Sequence, residues 1–311
     1  MTPDETHLIL RSFWVSLGTS AIMAWPLYRM LLALRSRQTV SEYAPESHQA
    51  KQGTPTMGGL IVLVGFLAGV LAAAPDTSLI ALVLGFAAIG FLDDFVVPRC
   101  KPGARGLGWK PKLVLQLLTA GAVLWWSQRD AGLAAIAIGC FVILFSSNAY
   151  NFADGLDGLA GTIGVLLCIG LVALALLSGL PTIAVAPAAI IAGFVPFLAL
   201  NAPPARVFMG DIGSLPIGAA LGYVALELSG EPTMFPPLAV LSGILLLELV
   251  PVPLQIFWVK VFKKRLFSYT PIHHAFEKRG WPESRVVWLF GLIQFVLTAG
   301  ALSLAIAGAS R

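Results

Sequence analysis

The feature that most constrains this chain is a succession of apolar runs, each close to the length that a helix needs to cross a bilayer. About 20 residues cover the hydrocarbon core. Reading for such runs gives ten, at 8–34, 58–74, 79–92, 113–126, 131–147, 159–178, 182–200, 212–229, 235–259 and 286–308. The third and fourth are short and are expected to continue into the segments beside them. Inside a bilayer the backbone polar groups can bond only to one another, so runs of this kind cross as helices. The expected fold is all-α: a polytopic integral membrane protein with about ten transmembrane helices, residues 1–311 forming a single transmembrane domain. Only 12% of the residues are charged, about half the share of an ordinary soluble protein. Pro251 and Pro253 fall inside the ninth run and should break or bend it.

Basic residues set the orientation. Five connecting segments, 35–57, 93–112, 148–158, 201–211 and 260–285, hold 16 of the 20 Lys and Arg residues. By the positive-inside rule these five loops are cytoplasmic and both termini lie outside. The sequence pI near 9.1 is then a matter of membrane sidedness, and no nucleic-acid partner is expected. Asp4 and Glu5 stand where a secretory signal would be basic, so the first run reads as a transmembrane helix. Cys100, Cys140 and Cys168 have no metal or disulfide spacing.

The same partition sorts the chemistry. Asp93, Asp94, Asp154, Asp157, Asp211, His48, His273 and His274 fall in the cytoplasmic loops or at their membrane boundaries. Glu248 is the exception, alone within the interior of a run. Transporters usually carry ionisable groups near mid-bilayer, so this distribution favours chemistry at the membrane surface.

Four segments could carry that chemistry. FLDDF places Asp93 and Asp94 at the end of the third run, where paired carboxylates suit a divalent metal holding a phosphorylated ligand, or form an ordinary solvated loop entrance. NAYNFADGLDGLAGT repeats Asn148, Asn151, Asp154 and Asp157 every three residues among glycines. That pattern can wrap a nucleotide or phosphate, whereas the spacing does not fit a calcium loop. FMGDIGSLPIG sets Asp211 and Ser214 at a helix start, with Phe208 three residues ahead of the aspartate; an anion site and a plain helix cap are both open. In the 260–285 loop, Lys263, Lys264 and Arg265 read as topogenic charges, while His273 and His274 could donate to a diphosphate. KQGTPTMGGL, before the second run, adds Lys51 and Thr56 as either a phosphate site or a juxtamembrane turn.

Taken in order from about residue 46 to 287, these segments resemble the polyprenyl-phosphate N-acetylhexosamine-1-phosphate transferases. GTPTMGG and PIHHAFEKRGWPE resemble the branch of that superfamily that handles phospho-N-acetylmuramoyl-pentapeptide. The resemblance implies a Mg²⁺-dependent enzyme in which Asp211 coordinates the metal and Asp93, Asp94 and Asp154 are needed for reaction. It further implies that Phe208 stacks on uracil while Asn201 and Asp157 hold the nucleoside. Lys51, Thr56, Lys112, Asn151, His273 and His274 match polar positions of the family's active site. Lys112 is the hardest to align, because the loop 95–112 contains one extra residue. Two positions depart from the pattern: a histidine triplet ends in Ala275, and a lysine is replaced by Val97, for which Arg99 or Lys101 is the nearest substitute.

The implied reaction joins undecaprenyl phosphate to UDP-N-acetylmuramoyl-pentapeptide in the bacterial inner membrane, releasing UMP on the cytoplasmic side. The five loops would form the active site and the bent ninth run a groove for the lipid. A sibling enzyme using UDP-N-acetylglucosamine, a silent homologue and a transporter are the competing readings. The oligomeric state is open, a homodimer included.

Overall fold

The computed structural model describes residues 2–34, 53–101, 103–104 and 106–309, and within these the regular elements are helices. In chain order they are α1 (Pro3–Ala33), α2 (Leu60–Ala73), α3 (Thr77–Phe91), α4 (Trp109–Ser127), α5 (Gly132–Ala153), α6 (Leu159–Leu177) and α7 (Val185–Asn201). There follow α8 (Asp211–Leu228), α9 (Phe235–Leu241), α10 (Gly243–Leu249), α11 (Pro251–Phe262), α12 (Ile272–Glu277) and α13 (Glu283–Ala309). All ten apolar runs are helical. Among the described residues, eight helical segments are long and apolar enough to cross a membrane, and Leu60–Ala73 and Pro232–Leu241 are shorter.

The third and fourth runs extend as expected. Beyond α3 the chain continues through a wide π-helical turn, Leu92–Val96, and one further helical turn to Cys100. α4 begins at Trp109, before the apolar stretch. The ninth run breaks before Pro251 as expected, but two features differ from expectation. That run is also interrupted at Ser242, so that it forms three helices. Pro251 and Pro253 explain the second interruption, since each removes a backbone donor. The loop expected at 148–158 is shorter, because α5 runs to Ala153 and takes Asn148 and Asn151 with it. Ala149, Tyr150 and Ala153 are buried there, and that burial keeps the last turns helical.

α8 is the centre of the bundle. Fourteen of its 18 residues are buried, and it packs chiefly on α5 and α3. Gly213, Ser214, Gly218, Ala219, Ala220 and Gly222 keep it thin enough to be enclosed. A second group joins α1, α2 and α7. Ser12, Ser16 and Ser20, spaced four apart on one face of α1, donate to the carbonyls of Val185 (3.0 Å), Ala189 (2.7 Å) and Ile61 (3.0 Å). α13 closes the other side against α6 and α9. Trp14, Ile22, Leu133, Phe141, Trp288 and Val296 lie exposed around the outside, as a lipid-facing surface requires.

Candidate active site

At one end of the bundle α3 meets the start of α8. Gly90 makes the approach possible, because any side chain there would run into the backbone of Asp211 and Ile212. The π-helical turn that follows carries Asp93 and Asp94 across the N-terminus of α8. Asp94 Oδ2 accepts from the Ile212 amide at 3.1 Å, satisfying one of the free donors of a helix start. The carboxylate oxygens of Asp93, Asp94 and Asp211 come within 4.8 Å of one another. Lys112, from the first turn of α4, reaches between them: its Nζ stands 3.1 Å from Asp93 and 2.5 Å from Asp211. Asn151, from α5, donates to Asp211 Oδ1 and to Ser214 Oγ, both at 2.8 Å. The Leu107 amide donates to the remaining oxygen of Asp93 at 2.8 Å.

Asp154 completes the cluster from the turn after α5, where it accepts from the Gly210 amide. Burial, and then the carboxylates of Asp211 and Asp94, hold its carboxyl well above the usual carboxylate range. Thr56 is buried, its Oγ1 against Gly210. The segment around it pairs with the approach to α8: Phe208 N donates to Pro55 O at 2.9 Å, and Gly58 N to Phe208 O at 2.7 Å. Phe208 is therefore fixed by its backbone beside the cluster.

Asn201 and Asp157 are both buried and engaged with backbone. Asn201 donates to Val207 O at 2.8 Å and accepts from Gly158 N at 3.0 Å, while Asp157 Oδ2 accepts from Ala205 N at 2.9 Å. They shape the 201–209 segment that carries Phe208. His273 and His274 each direct Nδ1 at a glutamate, Glu248 at 2.8 Å and Glu277 at 2.5 Å. His273 is fully enclosed and His274 partly so. Lys51 and His48 lie outside the described residues. Arg99 does not replace the lysine lost at Val97: its Nη2 donates to Leu34 O at 2.6 Å and its guanidinium covers Phe95, 3.5 Å from the ring centroid. The sequence reading left out Glu277, although a spacing of three from His274 on one helix was a usable signal.

The donor set suits a hard divalent cation, which binds through carboxylate oxygens. The position of Lys112 supports this, since a cationic group already bridges two of the three carboxylates at hydrogen-bond distance. Bound there, such a cation would be held by Asp93, Asp94 and Asp211, with Asn151 orienting the last.

Residues 77–229, which include all four aspartates of the cluster, match the family model Glycosyl transferase family 4. Residues 51–63 match the Phospho-N-acetylmuramoyl-pentapeptide-transferase signature 1. A protein of Moorella thermoacetica named phospho-N-acetylmuramoyl-pentapeptide-transferase is 39% identical over 308 residues, covering 91% of this chain and 94% of its own. A Synechococcus protein of the same name is also 39% identical, covering 92% and 86%. One from Clostridioides difficile is 36% identical, covering 86% and 88%. With its acidic cluster, its signature and full-length relatives in agreement, the chain belongs to the phospho-N-acetylmuramoyl-pentapeptide-transferase family.

Proposed function

We propose that this protein transfers phospho-N-acetylmuramoyl-pentapeptide from its UDP conjugate to undecaprenyl phosphate, releasing UMP and forming lipid I for peptidoglycan synthesis. The observation that carries the reading is the meeting of Asp93, Asp94, Asp154 and Asp211 at one end of a membrane bundle, with Lys112 between Asp93 and Asp211. On this proposal that end, which carries basic loops, faces the cytoplasm at a bacterial inner membrane, where a UDP-sugar arrives from the cytosol and the lipid from the bilayer.

Both reactants are anionic, and the reaction gathers further charge on phosphoryl oxygens. A lipid phosphate oxygen forms a bond to the sugar-linked phosphorus as the bond from that phosphorus to UMP breaks. On this reading Asp93 or Asp94 receives any proton remaining on the lipid phosphate. Lys112 offsets charge at the cluster and is able to shift from the aspartates to a phosphate oxygen. Asn151, itself anchored on Ser214 Oγ, holds Asp211 in place. Mg²⁺, the metal we propose, supplies charge neutralisation at the diphosphate when bound. Phe208, fixed by its backbone pairing, offers a ring for the uracil, and Asn201 and Asp157 keep that segment in shape.

Purified protein, Mg²⁺ and undecaprenyl phosphate should release UMP from UDP-N-acetylmuramoyl-pentapeptide far faster than from UDP-N-acetylglucosamine. The reverse preference would move the protein to the sibling activity. A folded protein that releases UMP from neither sugar would be a silent homologue.

A further inference from the structure

Glu248 stands within an apolar run, and its surroundings explain why it can. It lies on α10, just before the interruption at Pro251, with its side chain fully enclosed. A carboxylate in such a place is costly unless it is paired. Its partner is His273, equally enclosed, with Nδ1 2.8 Å from Glu248 Oε2. The far edge of the imidazole rests against Gly155, where even a methyl group would collide with Nε2 and Cε1. Gly155 belongs to the turn between α5 and α6 that carries Asp154 and Asp157. Three segments far apart in sequence therefore form one line: carboxylate, imidazole, and the turn of the acidic site.

We propose that Glu248 is a positioning residue, acting through His273 to hold the 154–157 turn in place for the transfer proposed above, on which this inference rests. Glu248 fixes the ring by Nδ1, and the opposite edge of the ring faces the turn. Among the described residues neither Nε2 nor Glu248 Oε1 has a hydrogen-bond partner, so the Nδ1 contact and packing set the ring's orientation there. Without the carboxylate, the imidazole is free to turn and the glycine-containing turn loses its backstop. His274 is held separately, by Glu277 on its own short helix.

The test compares Glu248→Ala, Glu248→Asp, His273→Ala and the double alanine variant for UMP release and for thermal melting. Glu248→Ala should lower kcat about 10–100-fold, as loss of an orienting partner commonly does, and Glu248→Asp should recover part of it. The double variant should be no slower than His273→Ala alone, because the carboxylate acts only through the ring. Gly155→Ala should slow the wild type but add little to His273→Ala, where the ring it strikes is gone. Independent, multiplying losses overturn the proposal, as does full activity in Glu248→Ala or a loss that merely follows melting temperature. A readout without turnover uses ¹⁵N-histidine labelling. The His273 ring signals, assigned by their absence in His273→Ala, should shift in Glu248→Ala, where the contact at Nδ1 is lost. Unchanged signals overturn the proposal. The expected shift beside a wild type that uses no UDP-sugar defeats only the functional reading.

Discussion

Lys112 shows what a single side chain contributes. Asp93 and Asp211 would repel across the site, and one ammonium within 3.1 Å of both offsets that. Lys112→Met should lower turnover about 10²–10³-fold, the usual effect of losing one preorganised charge. It should also make the melting temperature rise more on adding Mg²⁺ than it does in the wild type, since a cation then relieves the whole repulsion. Asp211→Asn should act oppositely, shrinking the Mg²⁺ response and slowing turnover, and near-normal Mg²⁺-dependent activity in it would exclude Asp211 as a ligand. Asp154 supplies a pH test. Its carboxyl is held above its ordinary value of 3.8, so ionising it opposes folding, and stability falls as pH rises from that value toward the raised one. With chelator present, Asp154→Asn should therefore melt higher than the wild type at pH 8, and the advantage should vanish toward pH 4. Asp154 and Asp157 were legible in the sequence because glycines interleaved with Asp and Asn have few bland explanations, whereas Asp93, Asp94 and Asp211 each had an ordinary structural explanation and became legible only in company with the other motifs. Lys112 was less so, because the chain between residues 95 and 112 gives no register. Arg99, nearer in sequence, turns instead to the end of α1. The backbone duties of Asn201 and Asp157 arise from segments 43 and 48 residues away, and no local pattern announces them.

At the scale of the helix, the serines of α1 join packing to polarity. Each hydroxyl reaches a backbone carbonyl of a neighbouring helix, which requires the two helices to be close enough for a short side chain. Ser16→Ala should cost about 0.5–1.5 kcal/mol, the net worth of one hydrogen bond. Ser16→Leu should cost about 1–3 kcal/mol, because a larger side chain must push α1 away. Unfolding in mild detergent measures both, and a leucine variant as stable as the alanine one would show that the helices are not tightly apposed. Apolar run length revealed these helices but not their partners. It also concealed the interruption at Ser242, for serine carries no breaking signal of its own, whereas Pro251 and Pro253 announced theirs.

Across the molecule, the uneven placement of Lys and Arg is the ground on which we assign one face to the cytosol. With Cys100, Cys140 and Cys168 replaced, Lys101→Cys should react with an impermeant maleimide from the cytoplasmic side and Ser127→Cys from the opposite side; both positions are exposed. Labelling from one common side would overturn the orientation. The acidic cluster depends on α8, which carries Asp211 and is enclosed by α3 and α5. That enclosure bears on how the chain is made. α8 is the least apolar of the eight spanning candidates and the most buried, at 78%. Emerging from the ribosome alone, such a segment would gain little by entering lipid. Its insertion should therefore wait on the earlier helices, which offer it a protein-lined slot in place of hydrocarbon. Assembly of the bundle and completion of the catalytic centre would then be the same late event, and a nascent chain halted before residue 211 would be a membrane protein with no capacity to react.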